Sequence, residues 1–299
     1  MKALAGLILT LAILGASAAS AAEPDLAYGA YQRGLYLTAV REATARLETN
    51  AKDAAAMTLL GEIYNQGLGV PMDPAKAAEW YRLAARQGES HAMASLGLMA
   101  LDGRGVPKNA EEGRKWLDQA AQNGDAIASY NLGLLLLTSD KDADLSRAVA
   151  LLRKAAEFEI ADAQHSLGVL YLTGRGVAKN PGEAARLFKR AADNGSSVGE
   201  VEYAILLFNG NGIPANESEA ARYFRRAAAK GNAIAQNRLA RMLIAGRGVS
   251  ENKVDAMAWQ LLASAQGLND SWIDNALLTM TAEERKKAEK LAAERLGAR

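Results

Sequence analysis

Five glycine pairs stand just ahead of helix-forming stretches: Gly-Arg-Gly-Val at 103–106, 174–177 and 246–249, with the variants Gly67-Leu-Gly-Val70 and Gly210-Asn-Gly-Ile213. Glycine loops in that position can cradle a phosphate with their backbone N–H groups. None carries the Lys-Ser/Thr of a P-loop, and none follows a strand pattern as a dinucleotide fingerprint must. The reading that remains is conformational. The first glycine can enter the left-handed region that ends a helix, and the second keeps the tight turn open. Val106, Val177 and Val249 can then pack back onto the helices.

Other side chains invite chemistry and do not complete it. Asp140, Asp142 and Asp144 match the first three ligands of an EF-hand calcium loop. The sixth position, which needs glycine, is Leu145, and the twelfth, which needs glutamate, is Leu151. Asp144 also has a competing role as a helix cap. A degenerate connector accounts for Thr138 to Asp144 better than a calcium loop. His91 and His165 have no second histidine or carboxylate at metal-like spacing, so neither metal nor cofactor is expected. The serines form no nucleophile elbow. With no cysteine, disulfides, thiolate metal sites and an N-terminal lipid are excluded, so the chain is not expected to be a lipoprotein.

Stepping from side chains to the whole chain, residues 1–22 read as a signal peptide. Lys2 precedes an apolar run from Leu4 to Leu14, and small residues from Ala16 to Ala22 supply the exit. Cleavage near Ala22 predicts a periplasmic or secreted protein. Loss of Lys2 leaves 34 basic against 34 acidic residues, which supplies no electrostatic footprint for nucleic acid or anionic membrane. Alanine, leucine and glycine dominate, a helical composition.

The chain repeats itself. Leu60-Gly61, Leu96-Gly97, Leu132-Gly133, Leu167-Gly168, Tyr203-Ala204 and Leu239-Ala240 recur every 35 or 36 residues, and the second residue of each pair serves as an anchor. Asp73, Asn109, Asn180, Asn216 and Asn252 lie twelve residues after their anchors, as caps for a second helix. That helix carries a large residue seven after the cap (Trp80, Trp116, Leu187, Tyr223, Trp259), expected to fill the gap beside a small pair such as Ala84-Ala85. One helix pair cannot bury its apolar face alone, but a stack can. The expected fold is all-α: an α/α superhelical solenoid of about six 36-residue helix-pair repeats with N- and C-terminal caps.

At these residues, most plainly in "LGEIYNQGLGVPMDPAKAAEWYRLAARQG", the chain resembles the Sel-one-like repeat (SLR) family, relatives of the tetratricopeptide repeats. The resemblance covers residues 53–268, six repeats (53–88, 89–124, 125–159, 160–195, 196–231, 232–268), and the residues outside it read as the signal peptide (1–22), an N-terminal capping half-repeat (23–52) and C-terminal capping helices (269–299). In the third repeat both connectors have changed: "TSDKDADLS" replaces the glycine turn, and Glu159 replaces the closing glycine. Thr281 and Glu284 form a capping box that opens a charged final helix.

The resemblance implies a monomeric, non-enzymatic scaffold, adaptor or regulator for protein contact in the envelope. A membrane sensor kinase of exopolysaccharide synthesis, or another envelope complex, is the partner by analogy. A peptidoglycan- or β-lactam-binding hydrolase is the alternative, although the relatives with that activity bear cysteine pairs in each repeat. As in tetratricopeptide repeats, one arc of each first helix is expected to line the concave surface. There stand Glu62 and Asn65, Leu98 and Leu101, Tyr130, Leu134 and Leu137, His165, Val169 and Leu172, Ile205 and Phe208, and Asn237 and Arg241. Either this arc is an apolar groove with polar ends that accepts a partner segment, or superhelix curvature buries much of it.

Overall fold

The computed structural model describes residues 25–139 and 141–297. The signal-peptide segment and Asp140, the first of the calcium-like carboxylates, lie outside the described residues. Within them the chain is helical throughout, without a strand. Two helices, α1 (Leu26–Gln32) and α2 (Tyr36–Thr49), precede the first repeat. The first three repeats are the pairs α3 (Ala54–Gln66) with α4 (Pro74–Arg86), α5 (Ser90–Asp102) with α6 (Ala110–Gln122), and α7 (Ala126–Leu136) with α8 (Asp142–Glu157). The next three are α9 (Ala161–Thr173) with α10 (Pro181–Asp193), α11 (Ser197–Asn209) with α12 (Glu217–Ala229), and α13 (Ala233–Ala245) with α14 (Lys253–Ser264). A short α15 (Ser271–Ala276) leads into α16 (Ala282–Gly297), which packs along α14 and closes the superhelical solenoid.

From α1 to α13 each helix packs most extensively on its neighbours in sequence, whereas α16 reaches past the short α15 to α14. First helices of neighbouring repeats also touch, α3 with α5, α5 with α7 and α9 with α11, whereas no pair of second helices meets as extensively. The first helices therefore form the closer, inner layer and the second helices the outer one.

Local chemistry explains the helix boundaries. Asp73, Asn109, Asn180, Asn216 and Asn252 each accept the N–H three residues on, satisfying an orphan donor of the second helix. The first helices are capped in the same way by Asp53, Glu89, Asp125, Ser196 and Asn232. At the far end Gly67, Gly103, Gly174, Gly210 and Gly246 all take left-handed backbone, which a side chain would resist. At the C-terminal end, Thr281 and Glu284 exchange hydrogen bonds in a reciprocal capping box.

Two glycine positions set the packing between elements. A Cβ on Gly61 would sit 2.7 Å from the Tyr81 ring, and one on Gly168 would sit 2.6 Å from Phe188. The anchor is thus the seat for a bulky residue eight after the cap. Tyr81, Leu117 and Phe188 are fully buried there, and Leu152 fills the same gap beside Gly133 in the third repeat. The position seven after the cap is buried in the later repeats, at Leu187, Tyr223 and Trp259, as expected, whereas Trp80 and Trp116 are only half-buried. One further step along the helix turns the side chain into the anchor's gap.

The second glycine of each turn does more than keep the turn open. A Cβ on Gly105 would run into the Pro74 carbonyl, and one on Gly248 into that of Glu217. Each turn therefore seats on the start of the second helix in the preceding repeat.

A ladder of side-chain bonds recurs from repeat to repeat, each rung tying the end of a second helix back to the first helix of the same repeat. Asn194 donates to Gln164 at 2.9 Å, Lys230 to Glu200 at 2.9 Å, and Gln266 to Gln236 at 3.1 Å, with acceptors 36 residues apart. The acceptors are buried, so the bonds are shielded from competing water.

The third repeat departs from the expectation at one end and keeps its geometry at the other. Asp144 is not the cap of α8, since the helix begins at Asp142 and Lys141 stands at the cap without a side-chain bond. The shortened connector lets the helix wind back through Asp144, whose carboxylate faces Arg114 at 3.5 Å. Both Asp142 and Asp144 then lie in the first turn, where the helix dipole favours negative charge. Without a glycine turn the Leu137 carbonyl instead accepts from Arg175 at 2.6 Å, a tie to the next repeat. At the other end Glu159 has φ 58°, the one non-glycine residue with positive φ among those described. The backbone there follows the path of Gly88 and Gly124.

Candidate functional site

The inner layer presents a stripe from each first helix. In α7 the stripe is Ile127, Tyr130, Leu134 and Leu137; in α11 it is Val198, Val201, Ile205 and Phe208. Residues spaced by three and four share a helix face. The positions within a stripe differ in depth. Six before the anchor, the β-branched Ile127, Val198 and Ile234 are 43%, 45% and 51% exposed.

One and four after the anchor, Leu98, Leu101, Leu134, Leu137, Val169, Leu172, Ile205 and Phe208 are half-buried and pack against the core clusters. Three before the anchor, Tyr130 and His165 are half-buried, while Ala94 and Val201 are buried. The arc is therefore neither open throughout nor closed. It is an apolar shelf with a raised row.

Glu62, Asn237 and Arg241 at the ends of the shelf are engaged within the chain. Glu62 accepts from the Tyr81 hydroxyl at 2.6 Å; burial, and then this carboxylate, push the Tyr81 pKa up. Asn65 is half-buried. Asn237 departs from its expected place on the surface. It is buried and donates to Gln260 at 3.1 Å and Asp270 at 2.8 Å, because the α14–α15 connection crosses over it. Arg241 grips Asp270 with two bonds, at 2.6 and 2.9 Å. Burial works against the Asp270 charge, yet the bonds from Arg241 and Asn237 hold its pKa down at about 2.

Where the shelf meets the C-terminal cap it deepens into a pocket of about 480 Å³. Its apolar lining includes Ile205, Phe208, Phe224 and Met242, with Trp272 among its walls. Three arginines also line it and no carboxylate does. Arg241 lies 5.2 Å from the Trp272 ring centre and Arg247 lies 4.1 Å from that of Phe208. Arg247 is also paired with Glu217.

Arg238, Arg247, Phe224 and Trp272 were not among the residues read from the sequence. Arg238 carried a signal, standing two before its anchor where the other repeats have Leu59, Ser95, Asn131, Ser166 and Glu202. Trp272 carried none, because it lies beyond the last repeat.

The histidines are placed apart from this pocket's lining. His165 packs on Phe188 with ring centres 5.6 Å apart, and burial lowers its pKa against the opposing pull of Glu202 and Asp162. His91 faces Asp125, whose carboxylate also caps α7. Among the described residues no group of three His, Cys, Asp or Glu is placed to hold a metal, and no helix is long and apolar enough to cross a membrane.

Comparison with known proteins follows the same architecture. A family model described as Sel1 repeat matches residues 54–89, 90–125, 126–157, 161–196, 197–232 and 233–268. The gap in the matches falls on Phe158, Glu159 and Ile160, the altered junction. A crystal structure of a Sel1 repeat protein from Oxalobacter formigenes is similar over 80% of this chain and 98% of its own, at 28% identity and a TM-score of 0.70. The crystal structure of c5321, a protective antigen present in uropathogenic Escherichia coli strains and displaying an SLR fold, is also 28% identical, with a TM-score of 0.57. That similarity spans 88% of this chain and 64% of c5321. No curated protein matches the chain.

Proposed function

The chain belongs to the Sel1 repeat family, and from that premise we propose that it is a non-enzymatic scaffold or adaptor which holds a protein partner along its inner shelf. Sel1 repeats generally mediate protein–protein interaction and are generally non-catalytic. One observation carries the assignment to this surface. Ile127, Val198 and Ile234 stand exposed at the same position of the third, fifth and sixth repeats, where the others have Ala55, His91 and Asp162. Exposed apolar residues at one repeat position, interspersed with polar ones, are suited to a partner segment. The site of action is the periplasm or the exterior, as the N-terminal segment suggests, and an envelope signalling or exopolysaccharide regulator is the role most consistent with the family analogy.

The test uses the surface row rather than the core. The double variant Val198→Glu/Ile234→Glu should keep its helical circular dichroism and Tm while losing at least tenfold in partner capture from envelope extracts. Unchanged capture by the folded variant would remove the shelf as the binding surface.

A further inference from the structure

We propose that the pocket between α11, α13 and α15 is a specificity site for a partner segment that presents a bulky apolar side chain beside a carboxylate; this rests on the scaffold reading and names the partner's chemistry. Two features favour it over a plain apolar slot. The first is composition: Phe208 and Trp272 with arginines, the side chains that most often anchor interfaces. Trp272 is 46% exposed although large and apolar. Its indole lies 5.2 Å from Arg241, so an apolar side chain and a cation face the same space.

The second feature is charge. Arg247 and Arg241 each have an internal counter-ion, Glu217 and Asp270. Arg238 has no ion pair or hydrogen bond among the described residues, yet it lines the same pocket and is exposed. With no carboxylate in the lining, an incoming one meets a cation whose donors are unspent. A carboxylate matches that planar fork better than a neutral group does.

The carboxylate could come from an acidic side chain or from a free C-terminus, and three fluorescein-labelled probe peptides separate the two sources. One ends in Asp-Phe-amide, one in Ser-Phe with a free carboxylate, and one in Ser-Phe-amide. Fluorescence anisotropy with the full mature chain should show saturable binding of at least one acid-bearing probe. The amide control should bind at least tenfold more weakly. Arg238→Glu should remove that discrimination with Tm unchanged, and Trp272→Ala should weaken both classes. Equal binding of all three probes, or discrimination that survives Arg238→Glu, would overturn the pocket's role. If no probe binds while Val198→Glu/Ile234→Glu still abolishes partner capture, the pocket proposal fails and the shelf stands. If that double variant leaves capture intact, the shelf reading fails on its own.

Discussion

Asn194 donates its side-chain amide to Glu159 at 2.6 Å across the boundary between the fourth and third repeats. Glu159 holds the left-handed corner that glycine occupies in the other repeats. Its carboxylate accepts from Asn194, Arg190 and Gln164, which lowers its pKa to about 2. A strained residue persists where its surroundings over-determine it, and here three donors from two helices do so.

The first prediction follows from that carboxylate. Because its folded pKa is depressed, its stabilisation is fully present above about pH 4.5, the unfolded value, and is lost as pH falls through about 2. Glu159→Gln should therefore lower Tm near neutral pH, and the difference from wild type should shrink steadily between pH 4.5 and 2. A difference that is flat across this range would show that charge at Glu159 is irrelevant to the junction.

Glycine turns that look alike should respond differently to a methyl group. Gly88 has positive φ but open space around its missing Cβ, so Gly88→Ala should cost about 1–2 kcal/mol from backbone alone. Gly105 adds a clash with the Pro74 carbonyl, so Gly105→Ala should cost about 1–3 kcal/mol more. Urea titrations of the two variants give the comparison. Equal losses would mean that the second glycine does not govern the seating of one repeat on the last.

Glu200 is a buried carboxylate on the repeated side-chain ladder, paired with Arg226 and Lys230 at 2.9 Å each, with its second oxygen unbonded. Gln164 and Gln236 occupy the same position and donate to the carbonyls of Ala156 and Ala228. Glu200→Gln should stay within about 1 kcal/mol of wild type or gain stability. Arg226→Ala/Lys230→Ala should lose at least about 2 kcal/mol, less than a fully buried pair would, because both cations are half-exposed. Denaturant midpoints decide it, and the opposite ranking would contradict the ladder.

Asp270 ties the C-terminal cap to the last repeat through Arg241 and Asn237, and its side chain caps α15. Asp270→Ala should release amide protection in α15 and α16 while leaving α3 to α12 protected in hydrogen exchange. Uniform loss across the array would mean that the cap folds as one unit with every repeat.

Much of the fold was legible because a solenoid repeats its physics. Leu-Gly anchors, Asn caps and left-handed glycines recur at one period, so each unit reinforced the others. What escaped involves partners far along the chain. Gly105 meets Pro74 a repeat earlier, a contact that spacing alone does not display. Asp144 has a cap's spacing, but the shortened connector winds the helix back past it. The pocket escaped because Trp272 belongs to the cap, where no neighbour exists to reveal a pattern. Periodicity sorts positions by angle and not by depth, so it places Asn237 on a surface that the cap covers.

The central claim is that partners are held on the inner layer. A photoreactive residue placed at Ile127, Val198 or Ile234 on first helices, or at Lys115, Lys189 or Arg225 exposed on second helices, tests it directly in intact cells. The inner positions should yield one shared crosslinked species of defined mass, and the outer positions none. Crosslinking of that species from α6, α10 and α12 alone would put the interface on the outer face and contradict the claim.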